Sequence, residues 1–187
     1  MSALPRFQTG RLHLRPLVAD DVDHLYPLIY ADPVVRRWFA SANSYEEVCR
    51  LHAHKVRHNE GAGHTGFGYW AVLLCATGQP VGQVLLGPPE PMPWIELDPA
   101  SPSHPLGQEV ELGYAFGQDY WGRGYATEAC QAIVRHAFST LSLRRLVNSV
   151  RRENLRSLRL LRRLGFRLED NLADPASLVG VLDRPSP

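Results

Sequence analysis

The run Tyr120-Trp121-Gly122-Arg123-Gly124-Tyr125-Ala126-Thr127-Glu128-Ala129 constrains this chain more than any other stretch. It follows the apolar alternation Val110-Glu111-Leu112-Gly113-Tyr114-Ala115-Phe116 and opens a helical pattern that runs to about Phe138. Two glycines one residue apart, between a strand and a helix, let the backbone turn tightly and let a ligand come close to it. The first turn of the helix adds unpaired N–H groups and the positive end of the macrodipole. Together these make a cradle for an anion, suited to a phosphate or pyrophosphate.

Two common phosphate loops do not match. A P-loop requires Gly-x-x-x-x-Gly-Lys-Ser/Thr, and no lysine lies near. A dinucleotide fingerprint requires a third glycine at an early βαβ turn, whereas Gly122-x-Gly124-x-x-Thr127 comes late in the chain. The stretch instead resembles the coenzyme A loop of the GNAT N-acetyltransferases, Gln/Arg-x-x-Gly-x-Gly/Ala, with Trp121 in the Gln/Arg position. Preceded by Glu-Leu-Gly-Tyr, the full run is similar to the RimJ/RimL-like branch, named for ribosomal-protein N-terminal acetyltransferases. Asn154-Leu155-Arg156-Ser157 through Leu164-Gly165-Phe166 resembles the same family's Asn-x-x-Ser helix. The resemblance covers Thr9 to Leu182 and is densest over Glu109 to Phe166.

That resemblance implies an α/β (α+β) fold: a single domain with a mixed, splayed central sheet flanked by helices. Acetyl-CoA, the co-substrate, would be wedged between strands at 109–116 and 144–150. Its implied contacts are Tyr114, Ala115, Phe116, Trp121, Gly122, Arg123, Gly124, Tyr125, Ala126, Asn154 and Ser157. Ser157 would lie near the sulfur and help the leaving thiolate. Many relatives carry a Tyr acid four residues before the helix-ending glycine, but here that position is Leu161. Glu111 matches the family's frequent base, and burial in an apolar strand would raise its pKa toward a usable value. A structural carboxylate bonded to backbone or arginine is the other reading of Glu111.

Composition bounds the rest. A chain of 187 residues with 44% hydrophobic residues suits one domain with a sizeable core. The expected core is about 9–182, with a Pro-rich loop at 87–107 and a frayed tail at 183–187. A net charge of +1 makes no whole-protein case for nucleic acid or membrane. Cys49, Cys75 and Cys130 are too scattered for a disulfide framework or zinc site, so a reducing compartment and no metal are expected. With no apolar leader, a cytoplasmic protein is expected, as a monomer or homodimer.

In chain order, Thr9 to Leu17 alternates as a first strand. Asp20 or Asp21 is positioned to cap a helix burying Val22, Leu25, Leu28 and Ile29. Trp38 and Phe39 read equally as acceptor-site walls or as ordinary packing. Ser44-x-x-Glu47 has the form of a capping box, opening a helix to about Asn59. His54 and His58, one turn apart, read as exposed histidines rather than a metal pair. A hairpin follows over Phe67 to Leu86. In the loop at 87–107, Trp94, Glu96 and Asp98 fit either an acidic lid over an amine or a surface insertion. Arg152, Arg156, Arg159 and Arg163 recur at helical spacing as a solvated face, some of them within reach of the coenzyme's 3′-phosphate.

The expected function is acetyl transfer to a primary amine, foremost a peptide or protein N-terminal α-amine, by direct attack in a ternary complex. A small-molecule amine acetyltransferase (aminoglycoside or polyamine) and a non-catalytic acyl-CoA-sensing domain are the alternatives.

Overall fold

The computed structural model describes residues 4–38, 44–61, 65–87, 92–103 and 109–185. In chain order these form β1 (Phe7–Gln8), β2 (Leu12–Pro16), α1 (Asp21–Leu25), α2 (Pro33–Arg36), α3 (Tyr45–Gly61), β3 (Gly68–Leu74) and β4 (Pro80–Leu86). The second half contributes β5 (Val110–Phe116), α4 (Tyr125–Arg135), β6 (Arg145–Arg151), α5 (Leu155–Leu164), β7 (Arg167–Asp170) and β8 (Ser177–Asp183). Single π-helical turns prolong α1 over Tyr26–Tyr30 and α4 over His136–Thr140. The strands make one mixed sheet in the order β1-β2-β3-β4-β5-β6-β8-β7. Among the described residues no helix is long and apolar enough to cross a membrane.

Every neighbouring pair is antiparallel except β5 and β6, which run parallel and share only Val110↔Leu146 and Glu111↔Val147. Past that point the strands part. Asn148 Nδ2 then reaches across to the Leu112 carbonyl at 2.8 Å, so a side chain takes the place of the next rung. The expected splay therefore begins one residue after Glu111.

Alternation sends β5 side chains to two layers. Val110, Leu112 and Phe116 pack with Ala129, Cys130 and Ile133 of α4 and with Leu158 and Leu161 of α5. Ala115 packs on the other face with Leu25, Ile29 and Val48. Local chemistry sets the helix ends. Ser44 and Glu47 form the reciprocal capping box, each side chain at 3.2 Å from the other's N–H. Asn154 caps α5 by accepting from the Ser157 N–H. At its far end Phe166 N–H reaches back to Leu161 O, a Schellman closure around Gly165.

Two expectations need correction. Thr9 to Leu17 is not one strand, because Thr9 bonds both ways with Leu12 and folds the segment into the β1–β2 hairpin. Asp20 makes no side-chain cap for α1; Asp21 accepts the Val18 N–H instead and pairs with Arg15 at 2.7 Å. The Pro-rich loop, left open by the sequence between an acidic lid and a surface insertion, is packed on the sheet in its described part. Ile95 and Leu97 are buried against Val147, Val179 and Val181, while Asn171 accepts the Glu96 N–H and donates to the Trp94 carbonyl. This part of the loop covers the outer face of the β6–β8 sheet, and its prolines at 88, 89, 91 and 105 lie outside the described residues.

Candidate active site

The first cavity, of about 350 Å³, lies over the gap between β5 and α5. Its floor is Tyr114, Ala115 and Phe116, its rim the turn from Trp121 to Ala126, and its far wall Asn154 and Ser157. Gly122 and Gly124 have φ of 76° and 81°, a left-handed conformation that L side chains rarely adopt. The turn presents the first N–H groups of α4, which by position lack intrahelical acceptors. Arg156, Arg159 and Arg163 line the opposite side, with the Arg156 guanidinium 5.0 Å from the centre of the Trp121 ring. The four arginines expected on one helix face thus divide: these three lie on α5 and line the cavity, while Arg152 precedes the helix and pairs with Asp170. Amides and arginines converging on one apolar-floored cleft suit a phosphorylated ligand with an apolar arm.

All the sequence-predicted coenzyme contacts line this cavity except Arg123. The Arg123 carbonyl instead accepts from Arg11 Nη1 at 2.9 Å. Arg11 also stacks over Tyr125 at 4.7 Å and donates to Glu128, which accepts from Thr9 Oγ1 as well. Burial pushes the Glu128 pKa up, but the bonds from Thr9 and Arg11 and the Arg11 charge outweigh it and hold the carboxyl below its usual range. Sequence reasoning missed this brace, although Thr9-x-Arg11 and Glu128 both stood inside the quoted motifs.

A second cavity, of about 250 Å³, lies on the α3 face of the sheet. Tyr30, Leu51, Lys55, Tyr69, Gln83 and Glu111 line it, and Asn148 to Arg151 form its β6 side. Tyr114, Ala115, Asn154, Ser157 and Trp38 line both cavities, so the two abut. At the junction Tyr114 Oη and Ser157 Oγ lie 2.6 Å apart. Burial raises the Tyr114 pKa, the buried Cys130 adds to the rise, and the Ser157 bond opposes it. The phenol is therefore neutral at physiological pH, and either hydroxyl of the pair can donate. Trp38 stands in the acceptor-side wall, whereas its predicted companion Phe39 lies outside the described residues.

Glu111 has no side-chain partner among the described residues, and burial alone raises its pKa. The structural reading required such a partner; it is the neighbouring Glu109 that meets Arg145, at 3.6 Å. Alternation also aims the backbone. Gly87 N–H bonds the Glu111 carbonyl, so residues of that parity face β4. Leu112 and Phe116 carbonyls accept from Asn148 and Trp121 on the other side, so the Tyr114 N–H points into the gap. Cys130 is fully buried and its thiol is pushed well up by burial, which suppresses thiolate chemistry. No group of three or more His, Cys, Asp or Glu among the described residues is placed to hold a metal. His54 is exposed as expected, whereas His58 packs edge-on against Tyr69.

Comparison with known proteins bears on this geometry. Residues 11–167 match the family model described as Acetyltransferase (GNAT) domain. The spermidine N(1)-acetyltransferase of Escherichia coli K12 is 27% identical over 159 residues, 85% of this chain and 74% of that protein. The ribosomal-protein-serine acetyltransferase of the same organism is 35% identical over 79 residues, 42% of this chain and 44% of that protein. The crystal structure of an acetyltransferase from Agrobacterium tumefaciens superposes with a TM-score of 0.75 at 27% identity, covering 97% of this chain and 96% of that one. Three further curated relatives are matched over 41%, 63% and 35% of their lengths, so this chain spans less than two thirds of each.

Proposed function

The chain belongs to the GNAT acetyltransferases, and from that premise we propose that it transfers acetyl from acetyl-CoA to the α-amine of a peptide or protein N-terminus. Acetyl-CoA occupies the first cavity. Its pyrophosphate meets the amides from Gly122 to Ala126, its other phosphate the arginines of α5, and its thioester lies in the β5–β6 gap near the Tyr114 N–H. The acceptor enters the second cavity. The observation that carries the reading is the unpartnered Glu111 carboxylate there, one residue before the sheet opens.

The amine nitrogen attacks the thioester carbonyl, forming the N–C bond as the C–S bond breaks. Its proton passes to Glu111, directly or through water, and the departing thiolate takes a proton from the Tyr114–Ser157 pair. The Tyr114 N–H stabilises the developing oxyanion. Tyr114 thereby supplies the acid that Leu161 does not. Burial of Cys130 disfavours an acyl-enzyme and supports direct attack.

Proton cost favours the α-amine. With reference pKa values of about 7.8 and 10.4, the neutral form at pH 7 costs an α-amine about 1.2 kcal/mol and a lysine side chain about 4.6 kcal/mol. A site with one buried carboxylate matches the smaller demand. Similarity to a spermidine acetyltransferase favours a polyamine as the second reading, but Lys55 and Arg151 in the cavity wall repel a polycation. The test is a screen of N-terminal peptides, polyamines and aminoglycosides with wild type and Glu111→Gln, read as thiol release. Peptides turn over and Glu111→Gln loses most activity at pH 7. Turnover of polyamines or aminoglycosides without peptides overturns the acceptor; full activity in Glu111→Gln overturns the base.

A further inference from the structure

Lys55 is the only lysine of the chain; every other residue among its 20 Lys and Arg is an arginine. It projects from α3 into the acceptor cavity and is only 8% exposed. Its Nζ donates to Tyr30 Oη at 2.8 Å and, at a long 3.4 Å, to Gln83 Oε1. The Tyr30 and Tyr69 rings face it at 5.5 and 5.4 Å. All three neighbours stabilise a cation, yet none is an anion. An ammonium has three donors, and a buried charge without a counter-ion is costly. The chain meets that cost elsewhere, since buried Asp21 is clamped by Arg15 through two 2.7 Å bonds. At Lys55 no described carboxylate does so.

We propose that Lys55 is the acceptor-specificity residue, binding a carboxylate carried by the substrate beside the amine to be acetylated. This rests on the acetyl-transfer reading and sharpens it: the acceptor is an acidic amine rather than any N-terminus. Arg151, on the β6 wall, adds positive charge, though Asp174 at 3.8 Å shares it. The substrate amine then sits toward Glu111 and Tyr114, with its carboxylate toward α3. Trp38 and Leu51 supply the apolar walls between. The carboxylate has three possible sources in a peptide: the first side chain, the second side chain, or the C-terminus of a dipeptide.

Three matched pairs separate these sources while leaving an N-terminal α-amine in each. They are tetrapeptide amides beginning with Asp or Asn, the same with Glu or Gln at the second position, and a dipeptide with a free or amidated C-terminus. The acidic member of one pair should show at least tenfold higher kcat/KM, and that pair identifies the source. Lys55→Met should bring the ratio to within twofold, and Lys55→Arg should keep part of it. Lys55→Gln repeats the measurement should Lys55→Met melt early. Equal kcat/KM within every pair in wild type overturns the proposal, as does a ratio that persists in Lys55→Met. Mass spectrometry that finds Lys55 itself acetylated after incubation with acetyl-CoA also overturns it, since the amine is then an acceptor and not a reader of charge. If no peptide is acetylated while acetyl-CoA binds, the peptide-acetylation reading fails and the proposal falls with it.

Discussion

Replacing Gly124 by alanine separates the anion cradle from the fold. Gly124 has φ of 81°, and a residue with a Cβ in the left-handed region costs about 1–2 kcal/mol. The new methyl meets a single protein atom within 4 Å, Arg11 Nη2 at 3.3 Å. That atom ends a half-exposed side chain and gives way by a few tenths of an ångström, adding little. At about 2–4 °C per kcal/mol for a chain of this size, the melting temperature should fall by about 2–8 °C. With a typical stability of about 5–15 kcal/mol, the variant stays folded at room temperature. The loss in binding should be larger. Gly124 lines the cavity beside the first N–H groups of α4, so a substitution that shifts this turn should hold a phosphate off them. One hydrogen bond to a charged oxygen contributes about 1.5–3 kcal/mol, which corresponds to a Kd increase of about 10- to 150-fold. Calorimetric titration with acetyl-CoA, beside a melting curve, reads both effects. A Kd within threefold of wild type, together with the expected fall in melting temperature, would refute the cradle.

Glu111→Gln should be more stable than wild type at pH 8 and equal to it at pH 4. Burial raises the Glu111 pKa, so the folded chain holds that proton longer than the unfolded one and loses stability as pH rises through the window between the two values; melting curves at the two pH values check the sign. The acid limb of wild-type kcat/KM should lie above the usual carboxylate range of about 4.3, and a limb at or below it removes Glu111 as the base. Glu128→Gln should lower stability at pH 7 and cost less at pH 3, measured by denaturant unfolding, because a carboxylate held below its usual pKa contributes stability above the unfolded value and loses it as pH falls. Cys130→Ala should keep at least a third of wild-type kcat, and mass spectrometry should find no acetylated cysteine after incubation with acetyl-CoA alone; a trapped acetyl-Cys130 would replace direct attack with a ping-pong route.

Much of this site was legible because its parts are contiguous in sequence. The turn at 121–126 and the Asn154–Ser157 cap are each set by local chemistry: left-handed glycines, free amides and an Asn side chain within three residues of its donor. Glu111 stood out as a carboxylate in an apolar strand, and its burial came from the fold as anticipated. What the sequence hid is what long-range packing assembles. Nothing in the sequence singled out Lys55; its setting arises only where Tyr30, Tyr69 and Gln83 close around it in the fold. The Tyr114–Ser157 pair carried no mark in the sequence, because the two residues lie 43 positions apart. The Pro-rich segment was left undecided for the same reason: its Ile95 and Leu97 find their partners on β6 and β8, and periodicity says nothing about partners.

On the proposed reading, the parting of the sheet lets two substrates meet without a covalent intermediate. A parallel pair that continued past Glu111 would bury the Leu112 and Tyr114 backbone groups in ladder bonds and close the path between the two faces. Asn148 prevents this. Its Nδ2 satisfies the Leu112 carbonyl from a side chain's length away, so the rung is made without drawing the strands together. Its Oδ1 has no hydrogen-bond partner among the described residues, a cost that a simple ladder would not carry. In return the Tyr114 N–H stays directed into the gap, with the arginine-lined cavity on the α5 side and the Glu111 cavity on the α3 side. On that reading, an amine deprotonated at Glu111 and a thioester held at Tyr114 then approach from opposite faces through an opening one strand deep. No nucleophile of the protein's own needs to carry the acetyl group between them, consistent with Cys130 being sealed in the core.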